Sequence, residues 1–312
     1  MNTFSSNSNW MAQMGDEIAG LTLRQLVIPG THDSGTYAIN KHSDYSPDAP
    51  SFIKELEKLP ILPNLIKGIV AGWARTQGLD WTAQLNAGIR YLDIRTCLNT
   101  DDNQMYIVHT MYGGLLSDLI AAVKAFATAN PKEIILLDFN HFYEMTAASH
   151  KQLVGEMLTA FGSKMVPAAA GLGTKVSDLW KAEQQVIVLY DDTEMVSANA
   201  QLWSQNAIQS PWPNVQSVDA LKTALDKEVA DLPGEVFFVL QGILTENTEL
   251  VVQGLLPGNP GTLEELEAIT SPKVVGWVQN EWNDVGLNIV IIDWFQTTNY
   301  LEVIKSIQPK LI

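Results

Sequence analysis

Glu133–Tyr143 reads EIILLDFNHFY, an apolar run that ends in polar side chains. A short run that is apolar on both faces, here Glu133–Phe139, is typical of a strand buried in a parallel sheet. Six further stretches of this kind predict strands at Leu26–Pro29, Ile89–Ile94, Met105–Val108, Gln185–Tyr190, Glu235–Leu240 and Leu287–Ile292.

Helical patterns separate several of these runs, at Ser117–Ala129, Lys151–Phe161, Val218–Leu232 and Leu263–Ile269. Alternation of strands and helices predicts an α/β fold with a parallel sheet. Because seven strands are visible, we expect a TIM-type (β/α) barrel that is distorted or incomplete, with one strand missing or weakly signalled. A doubly wound sheet is the alternative. We expect one catalytic domain over 1–312, with an insertion at about 49–77 that reaches the rim of the barrel.

The composition narrows the classes of function. The chain has 312 residues, is 46% hydrophobic and carries a formal net charge of −16. That charge excludes nucleic acid as an expected partner and argues against electrostatic adsorption to anionic membranes. The single cysteine, Cys97, cannot form an intramolecular disulfide or a cysteine-rich metal site. No run reaches the roughly 18 apolar residues of a membrane span, and no signal peptide is visible at the start.

Polar and ionisable residues follow the predicted strands. In a (β/α) barrel the carboxyl ends of all strands meet at one rim, where active sites lie. The rim residues are His32, Asp33, Asp93, Arg95, His109, Asp138, Asn140, His141, Tyr190, Asp191, Asp192, Gln241 and Asp293. Any one of them has a structural interpretation, such as a hydrogen-bonded histidine or a helix cap, and only their convergence indicates a catalytic site.

The types of residue at this rim suit phosphodiester cleavage. Two histidines can serve as base and acid near neutral pH. An arginine matches the geometry of phosphate oxygens, and a carboxylate can orient a histidine. No serine nucleophile elbow, Walker loop or Rossmann fingerprint is present.

Several segments together resemble the X-domain family of phosphatidylinositol-specific phospholipase C. Ile28–Tyr37 (IPGTHDSGTY) resembles its first box, Gln84–Arg95 (QLNAGIRYLDIR) its second, and Val108-His109 its third. Glu133–Tyr143 and the late segment IVIIDWF resemble the group that consists of the X domain alone, and other features resemble the bacterial enzymes. The boxes occur in order across most of the chain.

The resemblance implies a role for each catalytic candidate. His32 would deprotonate the inositol 2-hydroxyl, and His109 would protonate the leaving diacylglycerol oxygen. Asp293 would orient His32, Asp33 would assist His109, and Arg95 would stabilise charge on the phosphate. The products would be diacylglycerol and inositol 1,2-cyclic phosphate.

The substrate-binding residues implied are Asp93, Asn140, Asp191 and Trp212. The head-group pocket departs from the secreted bacterial pattern, because Asn140 replaces a lysine and Asp191 follows a strand that elsewhere ends in a basic residue. Precise head-group specificity therefore stays open at this point.

No cofactor is implied, because Arg95 offers a fixed positive charge where calcium-dependent relatives hold a cation. The alternative is calcium near Asp33, Asp93 and Asn140, since carboxylate and amide oxygens are suitable ligands. A metal-dependent glycerophosphodiester phosphodiesterase and an inactive inositol-lipid binding module are the alternative functions.

The sequence of the insertion predicts that this segment contacts lipid. Its apolar positions, among them Ile66, Ile69 and Trp73, exceed what one core-facing stripe requires. We therefore expect peripheral contact with phosphatidylinositol membranes or micelles through these three side chains. The family slightly favours a secreted bacterial enzyme, and the compartment and oligomeric state stay open.

Overall fold

The computed structural model describes residues 7–50, 53 and 63–310. Eight parallel strands form the sheet, in the order β7-β6-β5-β2-β1-β10-β9-β8. Their bounds are β1 Ile28–Thr31, β2 Tyr91–Asn99, β5 Ile135–Tyr143, β6 Val186–Tyr190, β7 Leu202–Ser204, β8 Ile208–Gln209, β9 Phe237–Gln241 and β10 Ile289–Ile292. Two further strands, β3 (Gln104–His109) and β4 (Met111–Leu115), are antiparallel.

Helices surround this sheet, and they close the barrel at its lower end, where the parallel strands begin. They are α1 Trp10–Met14, α2 Asp16–Ala19, α3 Pro63–Ala74, α4 Trp81–Ala87, α5 Leu116–Ala129, α6 Ala147–Phe161, α7 Val176–Ala182, α8 Thr193–Ala198, α9 Val218–Val229, α10 Thr248–Gln253, α11 Leu263–Asn280 and α12 Tyr300–Ser306. Among the residues that the structure describes, no helix combines the length and apolar character of a membrane span.

The prediction of an incomplete barrel is confirmed. β7 pairs with β6, and β8 pairs with β9. Within the described ranges no pairing joins β7 to β8, although only the short turn Gln205–Ala207 separates them along the chain. The barrel is therefore nearly closed, with its opening between these two strands.

The sequence interpretation was wrong about one strand and missed three others. The predicted strand Met105–Val108 is part of β3, which pairs antiparallel with β2 and β4 outside the barrel. The missed strands are β4, which contains two glycines, and the barrel strands β7 and β8, which have three and two residues. Strands this short carry no readable hydrophobic period.

A small apolar cluster packs α3 against β4, and two large ones make the core of the barrel. One lies between strands and helices, where Leu137 and Leu240 pack with Leu119 and Val274. The other fills the barrel and includes the alternate strand residues, such as Leu136. This division follows from the two-residue period of a strand. Because the interior cluster also contains residues of α1, the amino-terminal segment plugs the lower end of the barrel.

A buried ion pair holds the lower ends of β2 and β5 together. Arg90 Nη2 lies 2.6 Å from Glu133 Oε2, and both side chains are fully buried. Arg90 also donates to the carbonyl groups of Leu85 and Ile89. Glycine at position 88, with φ 118°, ends α4 and turns the chain into β2. The ion pair and the turn at Gly88 together set the position of β2 along the barrel axis. They therefore determine where Asp93 and Arg95 lie at the carboxyl ends of the strands.

Candidate active site

Asp33 lies at the centre of the rim residues. It follows β1 and is fully buried, with a left-handed φ of 40°. Its Oδ1 lies 2.9 Å from Arg95 Nε, and its Oδ2 lies 3.1 Å from His32 Nε2 and 3.7 Å from His109 Nε2. One carboxylate thus contacts both candidate histidines and the candidate arginine, which the sequence predicted only as separate rim residues.

The ring of His32 is fixed from its far side. Its Nδ1 donates to Asp293 Oδ1 at 3.0 Å, just beyond the end of β10. The buried amide of Gln77 donates to the His32 carbonyl at 3.0 Å and lies 3.4 Å from the same Asp293 oxygen. His32 Nε2 therefore points towards Asp33 and the centre of the site. Sequence reasoning missed Gln77, because it comes from the insertion and follows no strand.

His32 Nε2 has a partner in each protonation state. When the ring is neutral, Nε2 can accept from Arg95 Nη2 at 3.4 Å. When the ring is charged, it forms an ion pair with Asp33, whose Oδ2 lies 3.1 Å from Nε2. A histidine that exchanges a proton during a reaction requires such alternatives.

Electrostatics in the site favours charged forms despite burial. Burial opposes the charge on His32, but the carboxylates of Asp33 and Asp293 outweigh it and raise the pKa of His32 from 6.5 to about 10. Burial acts to raise the pKa of Asp33, yet Arg95 and the two histidines hold that pKa below its ordinary value. In the substrate-free site at neutral pH, His32 is therefore an imidazolium beside an ionised Asp33.

Two buried carboxyl groups near His32 behave differently from Asp33. Burial raises the pKa of Asp293, although its contact with His32 acts in the opposite direction. Burial and the nearby Asp293 raise the pKa of Glu267 well above its usual range. Glu267 lies on α11, where its Oε2 lies 3.0 Å from Ser271 Oγ, and the Ser271 hydroxyl donates to the Asp293 carbonyl. Burial therefore favours the uncharged form of Glu267 beside Asp293.

The hairpin β3–β4, and not a barrel strand, brings His109 to the site. Its Nδ1 donates to the carbonyl of Ala74 at the end of α3, at 2.9 Å. Its Nε2 faces Asp33 and lies 3.6 Å from Glu246 Oε1. The rings of His32 and His109 have centroids 6.1 Å apart. Sequence reasoning missed Glu246, which lies in the loop before α10 and follows no predicted strand directly.

Asp93 and Asn140 are tied into one network. Asp93 Oδ2 accepts from the Asp33 backbone N–H at 3.0 Å, and Asp93 Oδ1 accepts from Asn140 Nδ2 at 2.6 Å. The pairing of β2 with β5 shifts register at Asn140, so this residue is a bulge that lacks a partner in β2. A bulge redirects a side chain, and here it brings the amide of Asn140 to Asp93.

A polar cavity of about 580 Å³ lies on one side of Arg95. All four predicted substrate-binding residues line it: Asp93, Asn140, Asp191 and Trp212. Sequence reasoning missed Tyr143, Gln205 and Ser210, which also line it. Asp138 lies at the cavity as well, and burial raises its pKa to about 6, while Tyr91 and Gln205 each donate to its carboxylate at 2.5 Å.

Some predicted rim residues have structural roles. Tyr190 packs in the outer core and its hydroxyl bonds to His150 Nδ1 at 2.8 Å. Asp192 caps α8 by accepting from the Met195 N–H. Gln241 donates to Ser210 at the edge of the polar cavity, and His141 is exposed at the same cavity.

An apolar groove of about 740 Å³ lies beside His109, on the side of the site away from the polar cavity. The predicted membrane-contact residues Ile66, Ile69 and Trp73 all line it. Trp73, however, is only 4% exposed and packs in the outer core. The predicted lipid contact of Trp73 is therefore wrong in this conformation, because the helix turns the indole inwards. Residues 51, 52 and 54–62 of the predicted insertion lie outside the described residues.

The residues suggested for calcium do not offer a free ligand set. Of the clustered groups, His32, Asp33 and Asp93 bring their ligand atoms within 4.8 Å of one another. Arg95 already neutralises Asp33 at 2.9 Å. Asn140 turns its Nδ2 to Asp93, while its oxygen faces His141. Protein cations and amide donors therefore take the places that a calcium ion would need.

Comparison with known proteins finds similar proteins in both sequence and structure. Residues 70–191 match the family model described as phosphatidylinositol-specific phospholipase C, X domain. In structure, the chain resembles the phosphatidylinositol-specific phospholipases C of Staphylococcus aureus (a mutant; TM-score 0.65, 16% identity, 100% of both chains) and Listeria monocytogenes (TM-score 0.65, 19% identity, 97% of this chain and 99% of that one). At identities this low, the structural likeness shows a shared fold alone.

The sequence relatives are closer. PI-PLC X domain-containing protein 2 of Mus musculus is 32% identical, with 98% of this chain and 88% of that protein covered. The Homo sapiens protein of the same name is 33% identical, with 91% and 88% covered. With this identity over nearly its whole length, the chain belongs to the family of phosphatidylinositol-specific phospholipase C X-domain proteins.

Proposed function

We propose that this protein cleaves phosphatidylinositol into diacylglycerol and inositol 1,2-cyclic phosphate. One observation carries the proposal: two histidines, each with its Nδ1 fixed, turn their Nε2 atoms to the same Asp33–Arg95 pair. This centre lies between a polar cavity and an apolar groove. A binding module would not need two oriented proton carriers.

The proposed reaction is an internal displacement at phosphorus. The inositol 2-hydroxyl forms the new bond to phosphorus as its proton passes to His32 Nε2. The bond to the glycerol oxygen breaks, and that oxygen takes a proton from His109 Nε2. Because Arg95 Nε is held by Asp33, its Nη groups are the ones that can bind the phosphate oxygens. Asp293 holds the tautomer of His32, as the carboxylate of a hydrolase triad does.

The protonated resting form of His32 has a consequence for this mechanism. A base must lose its proton before it can accept one, so kcat/KM should rise as the pH approaches the His32 pKa of about 10. Binding of the substrate between Asp33 and His32 would change the contact of His32 with Asp33 and leave its contact with Asp293 in place. The pH profile of kcat/KM therefore tests the assignment of His32 as base directly.

The mechanism assigns no step to a metal. Arg95 supplies the positive charge at the phosphate, and it also neutralises Asp33. Activity should accordingly survive a chelator. A metal-dependent glycerophosphodiester phosphodiesterase would lose activity under the same treatment.

Peripheral membrane contact is part of the proposal, with a surface that differs from the one predicted. Four large apolar side chains near the groove are exposed: Leu65 at 58%, Val252 at 55%, Leu255 at 60% and Leu256 at 59%. Exposed apolar patches of this kind mark interaction surfaces. With a net charge of −16, the chain must rely on apolar contact at a lipid surface.

Phosphorus NMR of the products from phosphatidylinositol micelles, with and without EDTA, tests the proposal. We expect the cyclic phosphate to appear first and the rate to be the same in both samples. An open-chain phosphomonoester as first product, or a need for metal, would assign the protein to another class of phosphodiesterase. Absence of any product would favour a binding module.

A further inference from the structure

The apolar groove beside His109 lies between α3 and α10. Ile66, Ile69 and Val70 line it from α3, and Val251 and Val252 line it from α10. Its volume of about 740 Å³ is in the ordinary range for small-molecule sites. Of the four exposed apolar side chains named above, Val252 and Leu255 line the groove, whereas Leu65 and Leu256 lie outside it.

The groove begins at the catalytic centre. Two of its lining residues, Ala74 and Glu246, are also the residues that contact His109: the Ala74 carbonyl accepts from Nδ1, and Glu246 Oε1 lies 3.6 Å from Nε2. His109 is the group that would protonate the departing glycerol oxygen. Whatever is attached to that oxygen must therefore leave the centre beside the mouth of this groove.

The two sides of the centre differ in chemistry. Arg95, Asp93 and Asp191 line the cavity on one side, and aliphatic side chains line the groove on the other. A molecule that fills both must be polar at one end, apolar at the other and joined by a phosphodiester. A phospholipid with its headgroup in the cavity and an acyl chain in the groove has this form.

We propose that the groove is a binding subsite for one acyl chain of the substrate, an inference that rests on the proposed function. The chain would be held by the protein itself and would leave with the glycerol. Recognition of the lipid would then include its apolar half even without a bilayer. This role differs from membrane docking, which the outer residues Leu65 and Leu256 would serve.

Monomeric substrates separate the groove from the membrane. We would measure kcat/KM for glycerophosphoinositol, which has no acyl chain, and for dibutyroyl and dihexanoyl phosphatidylinositol below their critical micelle concentrations. Burial of a methylene is worth about 0.8 kcal/mol, close to a fourfold change. We therefore expect roughly a fifteenfold rise for each two methylenes of the bound chain. Ile69→Trp, which fills the groove, should remove this dependence.

Two matched serine variants serve as controls. Leu256→Ser, at the rim, should lower activity on vesicles but not on the monomers. Val285→Ser changes a 39% exposed side chain just before β10, at the end of the barrel opposite Asp293, and should change neither. A flat chain-length series in the wild type, or a series that Ile69→Trp leaves intact, would overturn the acyl subsite. Dimers that dissociate in Ile69→Trp, together with a flat series, would identify a second copy as the occupant.

Binding of the product tests the groove independently of catalysis. Monomeric dihexanoylglycerol should bind to the wild type in calorimetry and should bind at least about tenfold more weakly to Ile69→Trp. If the wild type binds this product but cleaves no inositol lipid, the subsite stands and the proposed function falls. If cleavage occurs without such binding, the subsite falls and the function stands.

Discussion

Replacement of Asp293 by asparagine isolates the charge that acts on His32. Asp293 Oδ1 accepts from His32 Nδ1 at 3.0 Å, and an asparagine oxygen can accept the same hydrogen bond. The tautomer of His32 is then kept, while one negative charge is lost. Since Asp293 is one of the groups that raise the pKa of His32 to about 10, that pKa must fall.

The magnitude follows from Coulomb's law. Two unit charges about 4 Å apart interact with about 4 kcal/mol at an effective dielectric constant near 20. Since each pH unit corresponds to about 1.36 kcal/mol, the titration of His32 should move downward by about 3 pH units. The maximal rate should also fall, because a weaker base is a poorer catalyst.

The assay is the pH dependence of kcat/KM on a monomeric inositol phosphodiester. In the wild type, the limb that belongs to His32 should rise with pH towards 10. In Asp293→Asn the same limb should lie about 3 pH units lower. Asp293 Oδ2 has no hydrogen-bond partner among the described residues, so the new amide group there should destabilise the fold by about 1–3 kcal/mol. Thermal unfolding should therefore accompany the kinetics.

Glu267→Gln is the matched control. Glu267 is also buried near Asp293, and its raised pKa favours the uncharged form, in which replacement by glutamine changes no charge. Its pH profile should superimpose on that of the wild type. If Asp293→Asn leaves the limb in place, or if both variants move it equally, the electrostatic account of His32 is wrong. A limb that falls with rising pH would make His32 the acid.

Other predictions concern the same centre. His32→Ala and His109→Ala should each lower kcat on phosphatidylinositol at least about 100-fold in a folded protein, and near-normal turnover would end the two-histidine mechanism. Arg95→Lys should lose about 100-fold, because lysine lacks the fork that binds two oxygens; activity that requires calcium instead would contradict this role of Arg95. The raised pKa of His32 means that its contribution to stability is full below pH 6.5 and is lost as the pH rises towards 10. The difference in unfolding free energy between wild type and His32→Ala should therefore shrink over that interval in urea titrations.

Buried strands were the most predictable part of the fold. Apolar runs such as Glu133–Phe139 cannot face water, so their sequence alone places them in the sheet. The strand that ends at His109 shows the limit of this reasoning. Its residues have the composition of a barrel strand, yet β2 continues beyond the barrel to Asn99 and β3 returns beside it. His109 reaches the centre by a different route from the one predicted.

The supporting residues of the site left no readable signal. The carbonyl of Ala74 is backbone, and any residue at that position would offer it. Gln77 and Glu246 come from connecting segments, where polar residues are common. Trp73 shows the opposite error: its helix has more apolar positions than one stripe requires, but the groove between α3 and α10 and the outer core account for them. Periodicity counts apolar residues and does not say which element will cover them.

This protein must recognise an anionic lipid through short-range interactions. A net charge of −16 offers no long-range attraction to an anionic lipid, and the positive groups of the centre are largely neutralised by Asp33 and Asp293. Attraction therefore begins only after contact, when a phosphate can replace His32 as the partner of Arg95 Nη2. The apolar rim and groove would supply the contact time that this exchange needs. Selectivity for the headgroup would then depend on the hydrogen-bonded network of Asp93 and Asn140, which is in place before the substrate arrives.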